Sequence, residues 1–274
     1  MNNDIIVLQP YAGLGNRLRA LDSAVELSSL LSRKLQVIWD KTPDLYCSYN
    51  QLFEPSDKYE VIDNKPIKFI WSCNKRLAHQ LNKMNIKYPF RYDITLYEKD
   101  IRNLNSINFD FKDLKKYHSI YFRINGRFID PANSFTFLKP LPEINAIIKN
   151  VYHNFSEKTL GIHIRRTDNT KSICHSPDEL FIHKIKEEIE KDSNVKFFLS
   201  TDSNETEKVF KNLFPERCIT YEKEISRNST QGMIDAVVDM FCLSKTNKIY
   251  GSFYSTFSHA ASKIGNIPLE VLYV

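Results

Sequence analysis

The sequence predicts an α/β protein built from two Rossmann-like domains, and three observations carry that prediction. From residue 158 onward, short apolar segments alternate regularly with stretches of helical periodicity. The chain opens in a similar way, with an apolar segment, a glycine turn and an amphipathic stretch. Its 274 residues also exceed the size at which one hydrophobic core usually keeps growing. Strands alternating with helices of this length give parallel sheets covered on both faces. The two domains are expected at residues 1–155 and 156–274.

Taken in order, residues 4–9 form a short buried strand, and Pro10-Tyr11-Ala12-Gly13-Leu14-Gly15-Asn16 is the turn after it. Leu18, Leu21, Ala24, Val25, Leu27 and Leu31 then recur at helical spacing, and residues 35–39 read as a second strand. Gly13 and Gly15 match part of a dinucleotide fingerprint. Leu18 stands where its third glycine belongs, and only Asp40 follows the second strand as a ribose-binding acid, so an NAD-linked oxidoreductase is a distant reading. Glycines in such a turn let backbone approach a ligand, and a helix N-terminus favours an anion. Asn16, Arg17 and Arg19 are expected to add donors to that opening; a tight turn with a solvated first helical turn fits the same spacing.

Residues 41–118 are punctuated by Pro43, Pro55 and Pro66, with a strand expected at 67–71 and a helix at 77–84. Their aromatic residues (Tyr46, Tyr49, Phe53, Tyr59, Tyr88, Phe90, Tyr92 and Tyr97) could line a carbohydrate site. Rings under long loops are more often core. Residues 119–124 read as a strand, 125–139 as loop, and 140–155 as a segment containing a helix with Ile144, Ile147, Ile148 and Val151.

The second half is more regular. In the strand at 159–165, Leu160, Ile162 and Ile164 alternate with Gly161, His163 and Arg165. A helix follows at 177–191, with Ser176 as its cap and Pro177 at its first position. Strands at 195–200, 218–221 and 248–251 then alternate with helices at 204–213, 231–244 and 255–264, before an extended piece at 269–274.

Ligands of open α/β sheets bind beyond the carboxyl ends of the strands, where the strand-to-helix turns converge. Alternate strand residues share a face, so His163 and Arg165 project together. An imidazole beside a guanidinium suits a purine ring and its phosphates. Ser200-Thr201-Asp202 follows the next strand and reads first as an N-cap. Asp235 and Asp239 lie one helical turn apart on a helix whose apolar face holds Met233, Val237, Met240 and Phe241. Asp239 could accept from the N1–H and exocyclic amine of guanine, donors that adenine does not pair in that way. Gly251-Ser252-Phe253-Tyr254-Ser255-Thr256-Phe257-Ser258 leads into a helix, and hydroxyls with free amides there form a phosphate seat. An arginine opposite completes it in bidentate fashion. Together these residues describe a site for a guanine nucleoside diphosphate.

Bulk properties narrow the classes further. A formal net charge of +5 favours an anionic ligand or a weak membrane-surface preference. It gives no nucleic-acid partner, because no long Lys/Arg block interleaves with aromatics. The five cysteines include no Cys-x-x-Cys pair, so neither a disulfide framework nor a zinc site is expected; they read as reduced, half-buried residues. The apolar run at 5–8 is too short for a signal segment or a membrane span. A cytoplasmic protein is expected, with a peripheral role at the inner membrane face left open and oligomeric state unread.

These residues resemble a family. Gly13-Leu14-Gly15-Asn16-Arg17-Leu18, Gly161-Ile162-His163-Ile164-Arg165-Arg166-Thr167-Asp168, and Asp239-Met240-Phe241-Cys242-Leu243-Ser244 with Ser255-Thr256-Phe257-Ser258 are similar to motifs of the α1,6- and nodulation-type fucosyltransferases. Their relatives include the α1,2- and protein O-fucosyltransferases. The resemblance implies a GT-B-like fold with two Rossmann-like domains facing a cleft, the first on the acceptor side and the second binding nucleotide-sugar. It implies inverting, metal-independent transfer of fucose from GDP-fucose to a glycan acceptor, as in polysaccharide biosynthesis. The absence of an Asp-x-Asp sequence agrees with metal independence. Arg165 resembles the diphosphate clamp that stabilises departing GDP, and His163 the guanine or ribose contact. Asp239 resembles the guanine-reading carboxylate, Ser255 and Thr256 the β-phosphate contacts, and Gly13, Gly15 and Asn16 the glycine loop. The family's candidate base counts onto Ile173, with Asp178 and Glu179 nearby, so the base is unassigned. Another GDP-sugar as donor, or a non-catalytic guanine-nucleotide-binding protein of the same fold, stays open.

Overall fold

The structure, a computed structural model, describes residues 4–62 and 92–274. The strand expected at 67–71, the helix expected at 77–84, Tyr88, Phe90 and Cys73 lie outside the described residues. The protein is α/β, with two five-stranded sheets whose strands all pair in parallel. It divides into two compact units, residues 1–42 with 55–137 and residues 43–54 with 138–274.

The first unit runs β1 (Ile5–Leu8), α1 (Leu14–Leu31), β2 (Lys34–Ile38), β3 (Glu60–Ile62), β4 (Ile94–Tyr97), α2 (Glu98–Ser106) and β5 (Ser119–Arg123). Its strand order is β3-β2-β1-β5-β4. Val7, Ile38 and Tyr121 pack together on this sheet, and α1 buries Leu14, Leu18, Leu21, Ala24 and Leu27. The short strands β3 and β4 were not legible in the sequence, because three or four residues hold too few alternations to register a period, and the nine-residue α2 was not read either. Tyr49, Phe53 and Tyr59 are buried core residues, whereas Tyr46 is exposed.

The second unit runs α3 (Pro142–Tyr152), β6 (Thr159–Ile164), α4 (Thr170–His175), α5 (Asp178–Lys191), β7 (Lys196–Thr201), α6 (Asn204–Leu213), β8 (Cys218–Ile219), α7 (Thr230–Leu243), β9 (Ile249–Ser252), α8 (Thr256–Gly265) and β10 (Leu269–Leu272). Its helix and strand ends agree with the sequence expectation to within about two residues, the usual latitude for such boundaries. Two local readings differ. The short helix α4 was not expected, and Ser176 does not cap α5. Its hydroxyl donates to Leu272 O and accepts from Phe253 N, while Pro177 takes the cap position. Contacts divide the chain at 137/138, whereas periodicity placed the boundary near 155. The reason is that α3 packs against α7. Segment 43–54 joins this unit through a Phe53–Pro140 bridge and the bond from Tyr46 N to Arg227 O.

Sheet order in this unit is β10-β9-β6-β7-β8. Numbered within the unit, that is the doubly wound order 3-2-1-4-5, with its switch point between β6 and β9. Ile162 and Ile164 face Phe181 and Ile185 of α5 and Phe210 of α6 in one core. Gly161 and His163 face the opposite side, where a side chain on Gly161 would meet Leu243 and Thr246 beside α7. Period-two alternation therefore delivers His163 to a different layer from its apolar neighbours.

Candidate functional site

At the switch point, β6 and β9 place two loaded turns side by side. His163 pairs in register with Ser200 of β7 on one side and Gly251 of β9 on the other. Gly251 allows a close approach: a Cβ there would stand 2.7 Å from Ser258 Oγ of α8. The amide of Arg165 donates to Ser252 Oγ at 3.0 Å, which ties the β6 turn to the β9 turn.

The His163 ring is 5% exposed and stacks on Phe257, with centroids 5.0 Å apart and planes 20° apart. Its Nδ1 has no hydrogen-bond partner among the described residues. Burial pushes its pKa down to about 3, against the pull of Asp202 and with help from Arg165 and Lys223. The imidazole is thus neutral near neutral pH, with its buried Nδ1 unpaired among the described residues.

The two adjacent arginines have separate fates. Arg166 turns back into the fold: Nε donates to Asp178 at 2.8 Å, Nη2 to Ser176 O at 2.8 Å and Nη1 to Arg165 O at 2.9 Å. Arg165 pairs with Asp202 at 2.7 Å and with Asp168. Asp168 is more exposed and also pairs with Arg227 at 2.7 Å. Asp202 is a hub rather than a cap. It accepts from Arg166 N and from Thr167 Oγ1, both at 2.6 Å, while Ser203 caps α6.

Across β9, Tyr254 adopts a left-handed conformation with φ 56°, and the chain then enters α8. Ser255 is buried at the cap position with no side-chain cap bond, and Thr256 is the first helical residue. These hydroxyls and the free amides of the first turn stand on the same sheet edge as Arg165.

Asp235 and Asp239 are both buried, so neither belongs to a solvated helix face. Asp235 accepts from Glu224 N at 2.9 Å and Gln231 Nε2 at 3.2 Å, a structural role. Asp239 accepts from Ser200 Oγ at 2.9 Å and from Lys223 Nζ at 3.0 and 2.8 Å on its two oxygens. Burial raises its pKa, and Lys223 pulls against that rise. Sequence reasoning missed Lys223, Arg227 and the hub role of Asp202. For Lys223 the only available signal was a lysine just past a strand end on the ligand edge.

In the first unit, Gly13, Gly15 and Asn16 lie at the start of α1, with Gly13 at its cap position. No described glycine has a positive φ; the left-handed residue of this turn is Ala12, with φ 66°. Among the described residues, its chain neighbours aside, nothing lies within 4 Å of where a Gly13 side chain would stand. Arg17 does not line the opening as expected. It is fully buried, donating to Ala12 O at 2.8 Å, Asp40 O at 2.6 Å and Thr42 Oγ1 at 2.8 Å beneath the Trp39 ring.

Among the described residues no group of three or more His, Cys, Asp or Glu side chains is placed to hold a metal ion. Cys47 and Cys242 are buried, Cys218 half-buried and Cys174 exposed, all as free thiols. Among the described residues no helix is long and apolar enough to cross a membrane.

No protein-family model matches the chain, and no curated protein sequence matches it. Solved structures do share its fold. NodZ α1,6-fucosyltransferase soaked with GDP-fucose aligns with a TM-score of 0.64 at 19% identity, over 94% of this chain and 91% of that one. POFUT1 in complex with GDP aligns at 0.58 and 14%, over 99% of both chains. A variant of Arabidopsis thaliana FUT1 in complex with GDP aligns at 0.62 and 15%, over 98% of this chain and 70% of that one. The fold is that of GT-B-like fucosyltransferases.

Proposed function

We propose that the protein is a GDP-sugar-dependent glycosyltransferase that moves fucose from GDP-fucose to a glycan hydroxyl, with inversion and without a metal. The observation that supports this reading is the bond from the Arg165 amide to Ser252, which ties the turn after β6, beside a neutral His163, to the β9 turn that leads into Ser255 and Thr256. Fold likeness to fucosyltransferases solved with GDP or GDP-fucose supports it.

In this proposal the acceptor hydroxyl attacks the anomeric carbon, the bond to the β-phosphate oxygen breaks as GDP departs on the opposite side, and the hydroxyl proton passes to water. Negative charge builds on the leaving β-phosphate. Arg165, already held by buried-side Asp202, releases the exposed Asp168 and turns its free fork to the diphosphate. Ser255, Thr256 and the first amides of α8 receive the β-phosphate oxygens. His163 contacts guanine or ribose, and Asp239 reads the guanine donors. In the first unit, the open turn at Gly13, Gly15 and Asn16 is proposed as a ligand-approach loop.

A non-catalytic guanine-nucleotide binder is the second reading, and one observation favours it. Asp168, Asp178 and Asp202, the carboxylates around Arg165 and Arg166, are all paired with arginines, and none is left over as a base. Calorimetric titration with GDP, GDP-fucose, GDP-mannose and UDP, with and without EDTA, tests the site. Binding of GDP and GDP-fucose that ignores EDTA, with UDP silent, is expected. Lack of guanine preference removes the proposal. Sugar turnover then separates enzyme from binder, and the donor panel separates fucose from other GDP-sugars.

A further inference from the structure

The carboxylate assigned to guanine already holds a lysine. Lys223 lies just past β8 and reaches under the ligand edge to Asp239 on α7, with side chains only 4% and 9% exposed. Its ammonium spans both carboxylate oxygens at 2.8 and 3.0 Å, and Ser200 Oγ adds a bond at 2.9 Å. An ionised carboxylate has about four acceptor positions, and these three bonds leave room for one further donor. Guanine offers such a donor at N1 or at the exocyclic amine.

A buried carboxylate without a cation would take up a proton rather than stay charged. The groups facing Asp239 make Lys223 decisive. Ser200 approaches from β7, Tyr221 from the segment after β8, and Cys242 from α7 itself, all uncharged; His163 on β6 is neutral. Glu207 of α6, 4.0 Å from the lysine, pushes the Asp239 carboxyl further up. Among the described groups that act on Asp239, Lys223 is the one cation.

We propose that Lys223 is a positioning residue for guanine recognition, holding the Asp239 carboxylate charged and turned so that its remaining lone pair meets the base. This rests on the reading that Asp239 contacts guanine. Its signature is a pH profile. With Lys223 in place, preference for GDP over ADP is insensitive to pH near neutrality. Without it, Asp239 protonates as pH falls, its capacity to accept from the base is lost, and the preference goes with it. ADP shares ribose and diphosphate with GDP, so titrations of those groups cancel in the ratio.

The test is calorimetric titration of the full chain with GDP and with ADP between about pH 8 and about pH 6. For the unaltered protein the GDP:ADP affinity ratio is expected to stay flat; a clear fall across this window overturns the proposal without any variant. For Lys223→Met the ratio is expected to drop by about tenfold from the high to the low end of the window, the scale of one pKa unit. Lys223→Arg is expected to restore the flat profile. A flat profile in Lys223→Met, or GDP binding tighter than in the unaltered protein, overturns the inference. Asp239→Ala keeps the two readings apart. If it abolishes the preference while Lys223→Met stays flat, only the lysine role fails. If it leaves the preference intact, the guanine assignment itself fails.

Discussion

Removing the Asp202 carboxylate should loosen the turn that carries Arg165. Asp202 accepts from the Arg166 amide and the Thr167 hydroxyl at 2.6 Å each and pairs with Arg165 at 2.7 Å, with its side chain 17% exposed. Hydrogen bonds to a charged group contribute about 1.5–3 kcal/mol each, and partial exposure places these toward the low end. Two such bonds lost in Asp202→Ala give about 3 kcal/mol, and the ion pair adds at most ~1 kcal/mol. Asp202→Asn keeps an acceptor for the Arg166 amide and should lose only about half as much. Urea denaturation at neutral pH, followed by circular dichroism, measures both variants. GDP titration of the same samples should show weaker binding, since Arg165 loses the partner that aims it. An Asp202→Ala protein within ~0.5 kcal/mol of the unaltered one, the range of an ordinary surface substitution, would refute the reasoning.

Three further outcomes are expected. Arg165→Ala should lower kcat by about a hundredfold or more, ~2.7 kcal/mol, while weakening GDP binding far less, because charge on the leaving phosphate develops in the transition state; steady-state kinetics with GDP-fucose checks this, and near-normal kcat removes the role. His163 is held neutral down to about pH 3 in the folded protein, whereas an unfolded chain protonates it near its ordinary value. The unfolded state therefore binds the extra proton, and stability falls as pH drops from about 6.5 toward 3, by up to ~1.4 kcal/mol per unit. His163→Phe should lack this slope, so its stability relative to the unaltered protein should rise on acidification; a constant difference contradicts the assignment. Arg17→Met strands three acceptors in the first unit and should cost about 3 kcal/mol in unfolding free energy; an unchanged urea midpoint would show that the buried guanidinium does not hold the turn.

Much of the architecture was legible because burial leaves a local trace. The alternation of Leu160, Ile162 and Ile164 with Gly161, His163 and Arg165 announces a strand buried on both faces, and the helices that follow carry their own period. The same two-residue period correctly set His163 apart from its apolar neighbours. The edge strands β3 and β4 escaped, because pairing at a sheet margin needs only a few residues and little apolar pattern.

Partner choice had no such trace. Arg165 and Arg166 are adjacent and chemically identical in sequence; only the packing of α5 beneath β6 sends Arg166 to Asp178 and leaves Arg165 at the ligand edge. Asp202 looked like a cap, yet Ser203 does that work and frees Asp202 for a turn 36 residues earlier in the chain. Lys223 meets Asp239 only because β8 and α7 flank the same strand. By itself the sequence determined most of the longer strands and helices, since those follow from local periodicity and residue type. Tertiary structure alone decided which charges pair, because Coulomb attraction and hydrogen bonding depend on distance in space and are blind to separation along the chain.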